Sequence, residues 1–186
     1  MDEKPQGERF CLYSSADLDA VLERMAAEAA ALLAGAERPL LLGILRRGAP
    51  LAEMLQRRLR ADFGLDVPRH GLKLKRYGDD LTLLHPDTQL TESAEFAALD
   101  VADATILVVD DVLYQGHSLA RVLGYLAQRR VPVIRAAVLA DRCCELLPIR
   151  ADIVGVRLQV APGDVVECNV PPYETEFKIE VLRPQR

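Results

Sequence analysis

Apolar positions along this chain follow two rhythms. Leu18, Val21, Leu22, Met25, Ala29, Leu32 and Leu33 recur at helical spacing and predict a helix capped by Ser14 or Ser15 that runs to about Gly35. Short unbroken apolar runs predict strands buried on both faces, as inside a parallel sheet: Leu40–Leu45 after Arg38-Pro39, Ile106–Val109, and Pro132–Ala140. Between them, Ala49–Arg60 reads as a helix, and Leu119, Val122, Leu123 and Leu126 mark one face of another. Leu72–Leu81 alternates apolar and basic residues before a turn, the pattern of a strand with one exposed face. The chain opens on a short polar tail. From Val156 onward the apolar pieces are short (Val165-Val166, Phe177–Val181) and predict strands of a small hood. Strand and helix patterns in alternation predict an α/β fold, a central, mostly parallel sheet flanked by helices.

Composition narrows the class. With 186 residues, half of them hydrophobic, the chain reads as one domain over 1–186 with a sizeable core. No apolar run reaches membrane-spanning length, and Met1-Asp-Glu-Lys-Pro is not a signal-peptide pattern. Cys11, Cys143, Cys144 and Cys168 lack Cys-x-x-Cys spacing and read as reduced thiols of a cytoplasmic protein. A net charge of −5 opposes non-specific nucleic-acid binding, which depends on neutralising phosphates. His70, His85 and His117 have no ligand spacing, so a metal is expected to arrive with a substrate and not in a protein cage.

Two strand–loop–helix passages carry chemistry. In the first, Ile106–Val109 is followed by Asp110 and Asp111, a turn around Gly116, and a helix start. Loop amides and first-turn amides converge there, and the helix dipole favours an anion. An ordinary βα turn with solvated acids fits the same geometry about equally well. In the second, Arg46-Arg47-Gly48 places two cations and free amides at a strand end, suited to a pyrophosphate or, more plainly, to two solvated arginines.

The stretch Ile106-Leu-Val-Val-Asp-Asp-Val-Leu-Tyr-Gln-Gly-His-Ser118 resembles the phosphoribosyl-pyrophosphate motif of type I phosphoribosyltransferases. Gly43–Ala52, Leu72–Leu81 and the passage from Asp141-Arg142 through Leu147–Gly155 are similar to one branch of that family. This branch is the pyrimidine operon attenuator/uracil phosphoribosyltransferase group. The resemblance covers nearly the whole chain and is weakest over 82–104 and the last thirty or so residues. It implies the type I phosphoribosyltransferase fold with its small hood. It also implies transfer of ribose 5-phosphate from phosphoribosyl pyrophosphate to uracil, giving UMP and pyrophosphate, by a homo-oligomer (a dimer or higher).

The site it implies has Asp110 and Asp111 at the ribose hydroxyls, with the loop Val112, Leu113, Tyr114, Gln115, Gly116, His117 and Ser118 around the 5-phosphate. Arg46, Arg47 and Gly48 meet the pyrophosphate; Asp110, Asp111 and Arg47 are the expected catalytic set. Asp141 lies near a magnesium-bound pyrophosphate and Arg142 near its oxygens. A flexible active-site loop is expected over Tyr77–Leu90.

Several positions depart from the family pattern. Gly78 stands where an arginine follows the loop tyrosine; Arg76, on the other side of Tyr77, is a candidate substitute, although adjacent strand residues point to opposite faces. Gln115 replaces a small hydroxyl residue, and His117 an arginine. Tyr114 stands where purine-specific members carry an aspartate, and a phenol cannot serve as a base near neutral pH, which favours uracil over hypoxanthine or guanine. The alternative is a catalytically weak uridine-nucleotide or phosphoribosyl-pyrophosphate-binding regulator. RNA attenuation is expected to be absent or altered: Glu23, Ala27, Cys144 and Glu145 occupy the family's RNA-facing places, with only Arg24 and Arg150 retained.

Overall fold

The computed structural model describes residues 7–74 and 90–185. The expected loop over Tyr77–Leu90, with Gly78 and Arg76 at its start, lies outside them apart from its last residue, as do His85 and the first six residues.

The expected parallel core forms. Strands β2 (Arg38–Leu45), β3 (Arg69–Leu74), β5 (Ala104–Leu113), β6 (Val133–Asp141) and β7 (Ile153–Arg157) run parallel in the order β3-β2-β5-β6-β7. Strand β4 (Leu90–Glu92) adds an antiparallel edge beside β3. Helices α1 (Ser15–Leu33) and α2 (Gly48–Phe63) cover one face, packed on Leu41, Leu107, Val109 and Leu139. Helices α3 (Ala94–Ala97) and α4 (His117–Gln128) lie on the other, against Leu40, Leu42, Ile106 and Val108. The alternation is the reason the strands read as unbroken apolar runs. Successive side chains point to opposite faces, and both faces are covered. Each fully buried leucine or isoleucine contributes about 1.5–3 kcal/mol.

Ser14 is the helix cap, in a reciprocal arrangement: its Oγ accepts the Asp17 N–H, while its own N–H donates to Asp17 Oδ2 at 2.9 Å. Ser15 has another task. Its Oγ donates to the Phe177 carbonyl at 2.8 Å and ties the helix start to the hood.

The hood is a separate antiparallel sheet, β1 (Gly7–Tyr13), β9 (Lys178–Pro184) and β8 (Val165–Asn169), in that order. Here the polar-tail expectation is corrected. Residues 7–13 form a strand, paired along β9 and mostly exposed, so their side chains carry no buried alternation to betray it. The central strand is also longer than its apolar run: β5 continues through both acids to Leu113, because β6 pairs with it that far.

Candidate active site

The site gathers at the carboxyl ends of β2, β5 and β6, where a parallel sheet opens at its topological switch point. Beyond β5 the chain turns at Gly116 (φ +87°), which serves as N-cap of α4. That left-handed conformation suits glycine because a β-carbon would crowd the backbone. Among the described residues no side chain caps α4, which leaves the amides of its first turn for an external acceptor. Asp110, Val112, Leu113, Tyr114, Gln115, Gly116, His117 and Ser118 line a cavity of about 120 Å³, together with Leu119 and Val138. All seven loop residues expected around a phosphate therefore line one cavity.

The acid pair is divided. Asp110 and Asp111 are both buried, at 5% and 8% exposure, yet strand alternation sends them to opposite faces. Asp110 is in the cavity wall, and its Oδ1 accepts the Asp111 N–H at 2.9 Å. Asp111 turns toward the hood, where its carbonyl accepts the Cys168 thiol at 3.8 Å. Burial, and next the Asp111 charge, push the Cys168 thiol well above its ordinary range.

The arginine loop meets this site from β2. The Leu45–Arg46 peptide is cis. Gly48, the first residue of α2, packs directly on β5, and a β-carbon there would lie 2.4 Å from the Val109 carbonyl oxygen. Only a glycine lets the loop come so close to the acids. Arg46 is exposed and lies 5.7 Å from the Tyr173 ring centroid. Arg47 is half-buried and paired with Glu174, Nη2 to Oε1 at 2.6 Å and Nε to Oε1 and Oε2 at 3.2 and 3.3 Å. The hydrogen bond to Glu174 raises the Arg47 pKa from an already high value and outweighs the loss of water around the group, which acts to lower it. Tyr173 and Glu174 are residues that sequence reasoning missed. Val170-Pro-Pro-Tyr173 signals a turn, but no local pattern links it to a loop 127 residues away.

From β6, the segment after Asp141 lies across the phosphate loop. The Arg142 N–H donates to the Leu113 carbonyl at 2.9 Å, and the Leu146 N–H to the Gln115 carbonyl at 3.1 Å. The Arg142 guanidinium sits 5.0 Å from the Tyr114 ring centroid, and its buried Nε has no hydrogen-bond partner among the described residues. Asp141 is buried, and its Oδ1 accepts the Cys143 N–H at 2.8 Å. Among the described residues no three His, Cys, Asp or Glu side chains converge on a possible metal position. The donors present are single carboxylates at strand ends. That fits magnesium held by one or two carboxylates together with substrate phosphates, the usual way it is bound.

No helix of the described residues is long and apolar enough to cross a membrane. Of the two retained RNA-face cations, Arg24 is engaged within the fold. It donates to the Val154 and Gly155 carbonyls and pairs with Glu28 at 2.7 Å.

Comparison with known proteins agrees with this geometry. The profile of the phosphoribosyl transferase domain matches residues 13–175. A bifunctional protein PyrR from Deinococcus radiodurans is 35% identical over 175 residues, 94% of each chain. The protein of the same name from Trichormus variabilis is 32% identical over 172 residues, 92% of this chain and 94% of its own. Among solved structures, a hypoxanthine phosphoribosyltransferase of Trypanosoma cruzi superposes with a TM-score of 0.71, at 20% identity, over 94% of this chain and 97% of its own. The latter likeness speaks for the fold alone. The chain belongs to the type I phosphoribosyltransferases, with the PyrR proteins among its relatives.

Proposed function

We propose that this phosphoribosyltransferase uses uracil as acceptor, converting uracil and phosphoribosyl pyrophosphate to UMP and pyrophosphate. The observation that carries the reading is the cavity between Asp110 and the start of α4. Its wall offers backbone amides, the Ser118 hydroxyl and a helix N-terminus, the donor set a 5-phosphate requires.

Breaking the bond from C1 to pyrophosphate leaves positive charge on the ribose. A carboxylate fixed beside the ring stabilises that charge, and this reading gives the role to Asp110, which its burial in the cavity wall supports. Asp111, on the other face of β5, acts in this reading by carrying negative charge toward Arg47 and the hood. Arg46, Arg47 and the amides around Gly48 receive the departing pyrophosphate, with Arg142 approaching from the opposite loop. Asp141 would hold magnesium arriving with the substrate, where the metal supplies charge neutralisation of the leaving group. At the cavity mouth Tyr114, half exposed and stacked under Arg142, offers a flat aromatic face and no carboxylate, which favours a pyrimidine.

RNA attenuation is the weaker reading, because Arg24 is already committed to backbone carbonyls and Glu23 beside it is exposed. The proposed homo-oligomer is checked by light scattering on the full chain.

The test is UMP formation from labelled uracil, phosphoribosyl pyrophosphate and magnesium, beside a Ser118→Ala control and with hypoxanthine and guanine as competing acceptors. Turnover with uracil that collapses in the control supports the proposal. Preference for a purine overturns the acceptor. Binding of UMP without turnover points to the nucleotide-sensing regulator instead.

A further inference from the structure

We propose that Glu174 is a specificity-determining residue: its carboxylate competes with pyrophosphate for Arg47, so the ion pair weakens binding of every pyrophosphate ligand, the donor included, and leaves the mononucleotide unaffected. The inference rests on reading Arg47 as a pyrophosphate-binding residue.

The contact has the form of a bound anion. Nε and Nη2 of Arg47 both reach the carboxylate, the two-pronged geometry with which a guanidinium holds phosphate oxygens. Glu174 therefore occupies the face of Arg47 that a phosphate would use. Its Oε2 also accepts the Val170 N–H at 2.9 Å, so the carboxylate closes its own turn while it holds the arginine. The preceding residue, Tyr173, meets Arg46. Consecutive residues of one hood turn thus engage both arginines of the loop.

Physical chemistry decides what can exchange with it. The side chains of Arg47 and Glu174 are 33% and 12% exposed. Leaving a partly buried arginine without an anion is costly, whereas replacing one anion by another is not. A pyrophosphate carries more charge than a carboxylate and offers oxygens to Arg46 and Arg47 together. A mononucleotide has one phosphate, which the α4 cavity takes, and nothing for this loop. The pair therefore lowers the apparent affinity for pyrophosphate ligands by the fraction of time Arg47 is occupied, and leaves mononucleotide affinity alone.

Calorimetric titration of the full-length protein with magnesium pyrophosphate and, separately, with UMP tests this in wild type, Glu174→Gln and Arg47→Ala. Glutamine keeps the size of the side chain and an acceptor for Val170 while removing the charge. Glu174→Gln is expected to bind pyrophosphate about tenfold more tightly, with UMP affinity within about twofold of wild type, and to lower KM for phosphoribosyl pyrophosphate more than it changes kcat. Unchanged or weaker pyrophosphate binding in this variant overturns the proposal.

Hydrogen exchange supplies a reading on the unaltered protein, independent of how the variant folds. Saturating magnesium pyrophosphate is expected to speed exchange of the Val170 amide as Glu174 withdraws, and UMP is not. No acceleration with pyrophosphate overturns the proposal. Arg47→Ala separates the two levels of the argument. If it binds pyrophosphate as wild type does, the reading of the arginine loop fails, and this inference with it. If it loses pyrophosphate while Glu174→Gln binds as wild type, only the role of Glu174 fails.

Discussion

Two passages of this chain share one plan, a parallel strand ending in a loop that opens a helix, yet they solve anion binding differently. The β5–α4 loop is built from backbone. Gly116 turns the chain, no side chain of the described residues caps α4, and the donors belong to seven consecutive residues. The β2–α2 loop is built from side chains, and the hood meets both of its arginines through Tyr173 and Glu174. A backbone site is complete once its local turn has formed. A side-chain site takes its state from whatever else the fold brings to it, and can therefore be tuned.

The sharpest way to break this contrast is to remove charge beside the backbone-built cavity. Asp110→Asn should lower turnover by about 100-fold or more, with UMP binding largely kept, since the carboxylate acts on charge that develops during reaction. Steady-state kinetics beside UMP titration checks it, and equal losses in both would move Asp110 from chemistry to binding.

The two glycines sharpen the contrast next. Gly48→Ala places a methyl 2.4 Å from the Val109 oxygen, so it should cost about 1–3 kcal/mol through displaced backbone. Gly116→Ala meets only ordinary van der Waals contacts, Leu147 Cβ at 3.6 Å and Ile149 Cβ at 3.8 Å. Its cost, about 1–2 kcal/mol, comes from the left-handed backbone alone. Urea denaturation measures both, and Gly116→Asn should recover part of the second loss but have no counterpart at Gly48, because asparagine tolerates this conformation.

Cys168 reports on the join between hood and acids, and its effect is the smallest. Its thiol is held above the ordinary value, so the folded state keeps a proton that the unfolded state gives up first as pH rises. The corresponding stability is fully present below the ordinary thiol range and is lost as pH climbs through and beyond it. Denaturation from pH 7 upward, to about one unit past the ordinary thiol value of about 8.5, should show that slope, and Cys168→Ala should flatten it. A slope unchanged in Cys168→Ala would assign it to another group.

The alternation of apolar runs and helical stripes determined the parallel core, because burial on both faces leaves no polar positions in a strand. The loop 112–118 was legible for a related reason: the residues that line its cavity belong to one strand end, one glycine and one helix start, all adjacent in the chain. Ser14 and Asp17, three residues apart, likewise fix the start of α1.

Elsewhere the tertiary structure decided. Strand β1 is a strand because β9 pairs with it, not because its exposed residues prefer one face. β5 extends through Asp110 and Asp111 because β6 continues beside it, and that extension sends the two carboxylates to opposite faces. Arg47 reads as a free cation in sequence and is an ion pair in the fold. Its partner lies 127 residues away, in a turn of the hood whose position no local preference encodes.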